Sequence, residues 1–424
     1  MASNNIAHHL RSAASTIRRA VETGVAHLNT EDSEISGRTI TIDGKSKINF
    51  SSCSYLGIEQ HPALKQGTIE ATKRYGTQFS SSRAYVSLGL YEELEDLLGR
   101  MFNSHVIATP STTLGHLSAL PVLVQPTDVV ILDHQVHASV NMATQILKSM
   151  GVRVEMIRHN NIDMLENRIK KLQSKYKRIW YLADGIYSMF GDFAPLMGLS
   201  SLLNQYECLH LYMDDAHGTS WTGEHGKGYV KTWLNGHPRV VVAASLNKSF
   251  GAAGGAIIFS NKEWKQQVRD CGGTLMFGGP IQPPMLGAAI ASARLHLSDE
   301  LMLLQAHLRQ NISNFCEFAS RHGIPLMKPN SSPIFFIPVG TPDPGYTLVK
   351  KMLDKGFLLN LAAYPSVPYH QTGMRLTIHN HLRTEDLLRL TQTLAEELPK
   401  VIGKLAEVSP TNPISPIPVL ASTV

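Results

Sequence analysis

The chain has 424 residues, a hydrophobic content of 43% and a formal charge of +5, which are ordinary values for a globular enzyme with a sizeable core. Its Lys and Arg residues are scattered and no run approaches the ~18 apolar residues of a membrane span, so neither nucleic acid nor a membrane span is expected. Four widely spaced cysteines without a CxxC pair and an N-terminus without the apolar core of a secretory signal favour a cytoplasmic protein with reduced thiols and no metal.

Residues 1–48 are predicted to form an N-terminal arm, with a helix near Ala7–Leu28 and a strand pair that turns at Asp43-Gly44. From residue 49 to residue 290, short apolar runs alternate with segments of helical spacing, which is typical of a mostly parallel sheet covered on both faces. This large domain is predicted to hold seven strands. They are His105–Thr109, Asp128–Leu132, Val152–Ile157, Arg178–Ala183, Leu209–Met213, Arg239–Ala243 and Gly255–Phe259.

The pattern changes in residues 291–405, which are predicted to form a smaller α+β domain. Its predicted elements are one long helix over Leu286–His322, a strand at Ile334–Val339, a helix at Tyr346–Lys355, strands at Phe357–Asn360 and Gly373–Ile378, and a closing helix from Thr384. Residues 406–424 combine several prolines with Ser and Thr, a composition typical of a flexible tail.

Polar side chains follow the predicted strands where the carboxyl ends of parallel strands meet, which is where such sheets carry their sites. Asp214 and His217 follow the strand Leu209–Met213, and Lys248 follows Arg239–Ala243. A carboxylate at this edge can hold a pyridine nitrogen protonated, and a partly desolvated lysine amine can form a Schiff base. This combination indicates a cofactor site.

Two further groups belong to the same edge. His137 could lay its imidazole on a flat ring, and the hydroxyls of Ser111, Thr112 and Thr113 open a predicted helix, where a phosphate can bind. His134-x-x-His137 is a weak metal candidate because no Cys or carboxylate stands at ligand spacing.

These motifs resemble those of the α-oxoamine synthases, which are pyridoxal-phosphate enzymes of the aspartate-aminotransferase fold (fold type I). The matching motifs run in order across residues 45–400, nearly the whole core. They are Asn49-Phe50-Ser51-Ser52, Tyr55-Leu56-Gly57, Ser82-Arg83, His137-Ala138-Ser139, Ser188–Asp192, Asp214–Gly218, Gly223–Gly228, Lys248–Gly255 and Gly373-Met374-Arg375.

The resemblance implies a role for each matching residue. Lys248 would carry pyridoxal phosphate as a Schiff base, and Asp214 would pair with the pyridinium nitrogen. His217 would hydrogen-bond the ring hydroxyl, beside which Ser188 would lie. His137 would stack on the ring face.

The resemblance also implies how the rest of the cofactor and the substrate are held. Ser111 and Thr112 would form the phosphate cup with Thr113, and Ser245 would add a hydroxyl. Arg375, from the small domain, would bind the carboxylate of an amino acid as a bidentate fork.

The sequence departs from the family pattern at several positions. Cys53 stands where the family usually has a substrate-binding asparagine, and Thr113 replaces the usual aromatic residue of the phosphate loop. Gly278-Gly279 replaces an expected phosphate contact with a partner chain, and Tyr91 replaces a histidine. These changes leave the cofactor assignment in place and put the amino-acid and acyl specificities in doubt.

The resemblance therefore implies a homodimer with its active site at the interface, which condenses an amino acid with an acyl thioester, carried on coenzyme A or a carrier protein, to give an α-aminoketone. Two alternatives remain open. One is an aminotransferase on the same fold, and the other is a non-catalytic binding homologue, against which the retention of Lys248 argues.

Overall fold

The computed structural model describes residues 2–328 and 330–403, and of residues 2–9 the backbone alone. The tail expected over residues 406–424 lies outside these ranges. The first helix, α1 (Ala2–Glu22), begins and ends earlier than expected. Strands β1 (Thr39–Ile42) and β2 (Lys45–Asn49) form the predicted hairpin, whose turn residues Asp43 and Gly44 both have positive φ.

Helices and strands alternate through the next part of the chain, where all seven predicted strands are confirmed with shifts of at most two residues. A 3₁₀ turn lies at Ile58–Gln60 and another at Glu224–Gly226. The elements are α2 (Pro62–Tyr75), α3 (Gly89–Phe102), β3 (His105–Thr109), α4 (Thr112–Leu123), β4 (Val129–Asp133), α5 (Ala138–Ser149), β5 (Arg153–Ile157), α6 (Ile162–Leu172), β6 (Ile179–Asp184), α7 (Leu196–Gln205), β7 (Leu209–Asp214), α8 (Gly228–Trp233), β8 (Val240–Ser245) and β9 (Gly255–Phe259).

The seven strands form one sheet in the order β3-β9-β8-β7-β6-β4-β5. All neighbouring pairs are parallel except those of β9, which runs antiparallel to β3 and β8. The central strands β6, β7 and β8 are buried along their whole length because helices cover both faces of the sheet. Their carboxyl ends therefore open at one edge.

The smaller C-terminal domain follows a run of three helices, α9 (Lys262–Cys271), α10 (Gly273–Phe277) and α11 (Pro283–His296). Its elements are α12 (Glu300–Arg321), β10 (Ile334–Gly340), α13 (Pro342–Asp354), β11 (Phe357–Leu358), β12 (Asn360–Ala362), a 3₁₀ turn at Tyr369–Gln371, β13 (Thr372–Thr377) and α14 (Thr384–Ile402). Among the helices in the described ranges, none is long and apolar enough to cross a bilayer.

Two predictions for this domain are wrong. The single helix expected over Leu286–His322 is interrupted between α11 and α12, at Ser298 and Asp299, residue types that compete with the helical backbone and favour caps. The strand expected over Phe357–Asn360 is divided, because β11 pairs with β2 while β12 pairs with β13.

The N-terminal hairpin and the C-terminal domain share a sheet, β1-β2-β11. Ile48 and Phe50 pack into the same apolar core as residues of β10, β13 and α14. A bidentate ion pair reinforces this junction, with the Arg38 guanidinium 2.6 and 2.8 Å from the Asp386 carboxylate oxygens. The N-terminal hairpin and the C-terminal domain are thus packed together.

Candidate active site

A cleft of about 160 Å³ opens at the carboxyl edge of the seven-stranded sheet, and we call it the strand-end cleft. Residues after β3, β4, β6, β7 and β8 line it, as expected for the edge where parallel strands end. The lining comprises Ser111, Thr112, Thr113, His137, Ser139, Asp184, Ile186, Asp214, Ala216, His217, Ser245, Asn247 and Lys248. The structure thus brings together eight of the eleven residues predicted for the site.

Asp214 is a buried carboxylate at the end of β7, supported by a histidine that the sequence analysis did not single out. His116, fully buried in α4, places Nε2 2.9 Å from Asp214 Oδ2, and its Nδ1 lies 2.8 Å from the Tyr212 hydroxyl. Burial alone would raise the pKa of Asp214, but His116 and the charge of Lys248 hold it well below its usual range. Asp214 is therefore an anion at the floor of the cleft.

Lys248 lies just beyond β8 and lines the same cleft. A tight loop holds its backbone, in which the Gly251 amide donates to the Lys248 carbonyl and Gly251 has φ +76. Among the described residues, the Lys248 side chain has no hydrogen-bond or ion-pair partner. Its amine is available to a ligand.

Asp184 ends β6 directly beside Asp214, since the two residues are paired in the sheet register. Burial, together with the charge of Asp214, raises the pKa of Asp184 well above its usual range. Its Oδ1 accepts a hydrogen bond from the backbone amide of His137 at 3.0 Å. The pKa values of the two neighbouring carboxyl groups are therefore shifted in opposite directions, that of Asp214 downward and that of Asp184 upward.

His137 caps the N-terminus of α5 and faces the cleft. The Ser139 amide lies 3.3 Å from His137 Nδ1 and the Ser139 hydroxyl 2.6 Å from it, so Nδ1 is an acceptor. Enclosure by the cleft walls lowers the pKa of the imidazole, whose ring is therefore neutral and fixed in orientation.

His217 is buried three residues after the end of β7 and is neutral. Burial, followed by the charges of Lys248 and Arg375, lowers its pKa well below the usual value. Its Nδ1 lies 2.7 Å from the hydroxyl of Tyr55, a fully buried residue of the N-terminal segment. A hydrogen bond donated by Tyr55 to Nδ1 leaves Nε2–H as the group that His217 can offer to a ligand.

The N-terminus of α4 forms the end of the cleft that suits an anion. Ser111 caps the helix, with its Oγ accepting from the Leu114 amide at 3.2 Å. The backbone amides of Thr112 and Thr113 belong to the first helical turn, where amides have no partner within the helix. A Cβ at Gly255 would lie 2.5 Å from the Thr112 amide nitrogen, so only glycine leaves this loop in place.

Three predicted residues, Cys53, Ser188 and Arg375, form a second group beside the cleft lining. Arg375 is buried on β13, and its Nε donates to the Ser188 carbonyl at 2.7 Å. Its Nη2 lies 3.8 Å from Cys53 Sγ. Burial raises the pKa of the Tyr55 hydroxyl overall, although the charge of Arg375 lowers it. Because Tyr55 is hydrogen-bonded to His217, this second group is connected to the cleft through Tyr55 and His217.

An ionic network that we call the His159 network adjoins the Ser188 loop. His159 Nδ1 lies 2.9 Å from Asp133, and Nε2 lies 2.6 Å from Asp192, which also accepts from Lys328 at 2.9 Å. Burial disfavours the charged imidazole, but the two carboxylates raise the pKa of His159 to about 9. The network therefore joins the large domain to the segment before β10 through paired charges.

Sequence analysis missed His116, Tyr55 and Asp184 as members of the site. Tyr55 and Asp184 stand in or beside matched motifs, which is a signal that could have identified them. His116 gives no comparable signal, because a histidine one turn into a helix has no special spacing, and only the fold places it behind Asp214.

These groups fit pyridoxal phosphate as a set. An ionised Asp214 suits a protonated ring nitrogen, an unpartnered Lys248 suits an aldehyde, and free amides at the start of α4 suit a phosphate. The fit rests on the charge states and free donors of the cleft rather than on residue names alone.

The family model described as aminotransferase class I and II matches residues 45–394. Among curated proteins, an 8-amino-7-oxononanoate synthase of Coprothermobacter proteolyticus is 29% identical over 355 residues, 83% of this chain and 88% of that protein. A serine palmitoyltransferase of Bacteriovorax stolpii is 28% identical over 369 residues, 86% of this chain and 85% of that protein.

Solved structures with similar folds include serine palmitoyltransferase from S. paucimobilis with a bound PLP–myriocin aldimine. It superposes with a TM-score of 0.84 at 20% identity and covers 92% of this chain and 97% of its own. At this identity the likeness establishes the fold, which is that of fold type I with a seven-stranded, mostly parallel sheet and a smaller C-terminal domain, as expected.

Proposed function

The chain belongs to the class I and II aminotransferase family, and on that premise we propose that it is a pyridoxal-phosphate-dependent acyltransferase of the α-oxoamine synthase type. It condenses an amino acid with an acyl thioester, forms a carbon–carbon bond and releases thiol and carbon dioxide to give an α-aminoketone. The observation that carries this proposal is that Lys248 and Asp214 line the same cleft. Lys248 has no side-chain partner among the described residues, whereas Asp214 is bonded to His116. Relatives named as synthases of this type support the choice of reaction.

Pyridoxal phosphate, when bound, supplies an electron sink for the bonds to Cα of the amino acid. Asp214 holds the proton on the ring nitrogen that keeps this sink effective, and His116 keeps Asp214 ionised. Lys248 would hold the cofactor at its aldehyde carbon, and its amine, once free, would move a proton at Cα of the amino acid. His137 supports one ring face as a neutral imidazole.

The phosphate and the ring hydroxyl are held by other groups of the cleft. The amides of Thr112 and Thr113 and the hydroxyl of Ser245 bind the phosphate at the start of α4. His217 donates Nε2–H to the ring hydroxyl while Tyr55 fixes its other nitrogen. These contacts orient the ring without adding charge, since His217 is neutral.

Arg375 binds the carboxylate of the amino acid. Its guanidinium is held at Nε by the Ser188 carbonyl, and its Nη2 contacts the weak sulfur acceptor of Cys53 at 3.8 Å, which a carboxylate can displace. Cys53, next to Arg375, offers a weak sulfur donor where the family usually has an amide. The amino-acid preference of this chain is therefore set partly by Cys53.

The active enzyme is a homodimer with the cleft at the interface. Tyr85 and Phe277 are 90% and 88% exposed, which is unusual for large apolar side chains and typical of a surface that packs against another chain. Ser82 donates to the Met276 carbonyl, which brings the two segments together. We further propose a cytoplasmic location, which the four unpaired cysteines support.

The test combines a spectrum with a reaction. Purified protein given pyridoxal phosphate should show the visible band of lysine-bound cofactor, and the band should be absent in Lys248→Ala and present in the surface control Lys262→Ala. A panel of amino acids, each offered with long-chain acyl-coenzyme A and with acyl carrier protein, should identify a pair that releases thiol.

Three results separate the alternatives. Transfer of the amine to a keto acid without thiol release would make the protein an aminotransferase. Failure to bind pyridoxal phosphate would make it a non-catalytic homologue. Cofactor still bound through lysine in Lys248→Ala would overturn the assignment of the site.

A further inference from the structure

A second and larger cleft, of about 390 Å³, lies between the N-terminal hairpin and the C-terminal domain, and we call it the basic cleft. Strands β1 and β2 form one wall, and the end of α13 with one face of α14 forms the other. Its lining comprises Arg38, Thr39, Lys45, Ser46, Lys47, Ile48, Asp354, Lys355, Gly356 and Arg389. Five of these side chains are cationic and one is anionic.

Lys47 is the unusual member of this lining. It is only 5% exposed, and lysine is almost never buried without a partner. No hydrogen bond or ion pair to the Lys47 ammonium occurs within residues 2–328 and 330–403. Its ammonium is also not among the sealed polar atoms without a partner, so it opens into the basic cleft. The buried stem of Lys47 therefore presents its ammonium to the cleft, where an anion can meet it.

The neighbouring charges do not supply that anion. Lys45 lies two residues before Lys47 on the same face of β2 and has no counter-ion among the described residues. Arg389 has a ring contact with Phe357 but no acidic partner there. The one lining carboxylate, Asp354, is paired with Lys350 at 3.1 Å.

The other two lining cations are already compensated. Arg38 pairs with Asp386, and Lys355 lies 3.8 Å from Glu397. Three cations, Lys45, Lys47 and Arg389, therefore line one open cleft without an acidic partner among the described residues.

We propose that the basic cleft binds a phosphate group of at least two negative charges, carried by a soluble molecule or by a lipid headgroup. Three cations that line one cleft and have no acidic partner in the described part of the chain match such an anion. The cleft is lined by none of the residues of the strand-end cleft, so this site does not depend on the proposed reaction.

The test uses the full chain with pyridoxal phosphate present, so that phosphate sites in the strand-end cleft are occupied. Sodium pyrophosphate is titrated by calorimetry at low ionic strength, and vesicles of phosphatidylcholine with phosphatidic acid are tested by co-sedimentation. At least one probe should bind, and Lys47→Met should weaken that binding about tenfold or more, the loss of one charge-assisted contact. The exposed-lysine control Lys171→Met should bind as the unaltered protein does.

Further variants keep the outcome decisive. Lys47→Arg should retain binding. Lys45→Gln and Arg389→Gln change exposed side chains and should each weaken binding even if Lys47→Met does not fold. Binding of pyrophosphate alone identifies a soluble ligand, and binding of vesicles alone identifies a headgroup. Binding of neither probe, or binding that these variants leave unchanged, overturns the proposal.

Discussion

The strand-end cleft and the His159 network both bury ionisable groups, but they treat charge in opposite ways. In the network, His159 meets two carboxylates and Lys328 meets one of them, so each charge has a partner. In the cleft, Lys248 has no partner among the described residues, and burial together with the charge of Asp214 raises the pKa of Asp184. The network holds domains together, whereas the cleft keeps charges available for a ligand.

The difference shows where buried charge serves stability and where it serves chemistry. Removing one partner of a satisfied buried pair leaves the other charge uncompensated, which strongly destabilises a protein. Removing an unpartnered group from a functional cleft costs little stability and can increase it. The comparison can therefore be tested by changing one residue of each region.

The largest expected effect is on activity in the cleft. Lys248→Ala should lower the rate of thiol release by at least about a thousandfold, because it removes the amine that we propose holds the cofactor and moves the proton. The free energy of unfolding of the cofactor-free variant in urea should equal or exceed that of the unaltered protein. A large loss of stability in Lys248→Ala would show that the charges of the strand-end cleft stabilise the fold as those of the His159 network do.

The next effect is on stability in the network. His159→Gln should lower the free energy of unfolding by about 3 kcal/mol, because Asp133 and Asp192 lose the cation between them. Urea titration of cofactor-free protein measures this. The matched control is Arg321→Gln, which breaks the exposed pair with Glu317 and should cost less than about 1 kcal/mol. Equal losses of unfolding free energy in His159→Gln and Arg321→Gln would contradict a stabilising role of the His159 network.

A smaller effect on activity is expected for His116, which acts through Asp214. His116→Phe should lower kcat by about tenfold to a hundredfold with little change in KM, as outer-shell partners typically do. The pKa of Asp214 should rise, so the bound cofactor should change its absorbance with pH in a range where the unaltered enzyme does not. A variant with reduced kcat and an unchanged pH profile would indicate a structural role only.

The smallest expected effect is the pH dependence of the network. The pKa of His159 rises from 6.5 to about 9 on folding, so its stabilisation is complete below pH 6.5 and is lost as the pH rises through 9. The unaltered protein should lose stability across this interval, and His159→Gln should lose less. Parallel unfolding curves for the two proteins across this range of pH would show that His159 is not the titrating group.

The sequence predicted the large sheet closely because parallel strands such as β6 are apolar along their length and end in turns. It predicted most of the strand-end cleft for a related reason, since Asp214 and Lys248 follow such strands. The contacts that cross the fold could not be predicted. Arg38 meets Asp386, and His116 meets Asp214, only because distant segments pack together.

The division of a predicted element teaches the same lesson. Phe357–Asn360 has the composition of one strand, yet its halves pair with different partners, β2 and β13. Pairing is decided by which edges are free in the folded protein, and local propensity carries no information about that.

The junction of β2 with β11 has a consequence for how the protein is made. Arg38 and Asp386 are 348 positions apart, so the hairpin leaves the ribosome long before the strand and helix that complete its core have been translated. During that interval Ile48 and Phe50 have no partners from the C-terminal domain and remain exposed. The seven-stranded sheet, whose strands lie between the hairpin and that domain in the sequence, can already assemble. The C-terminal domain can therefore close only after α14 has been translated, and a nascent chain cut short before α14 would expose the apolar residues of its hairpin segment to chaperones and to other chains.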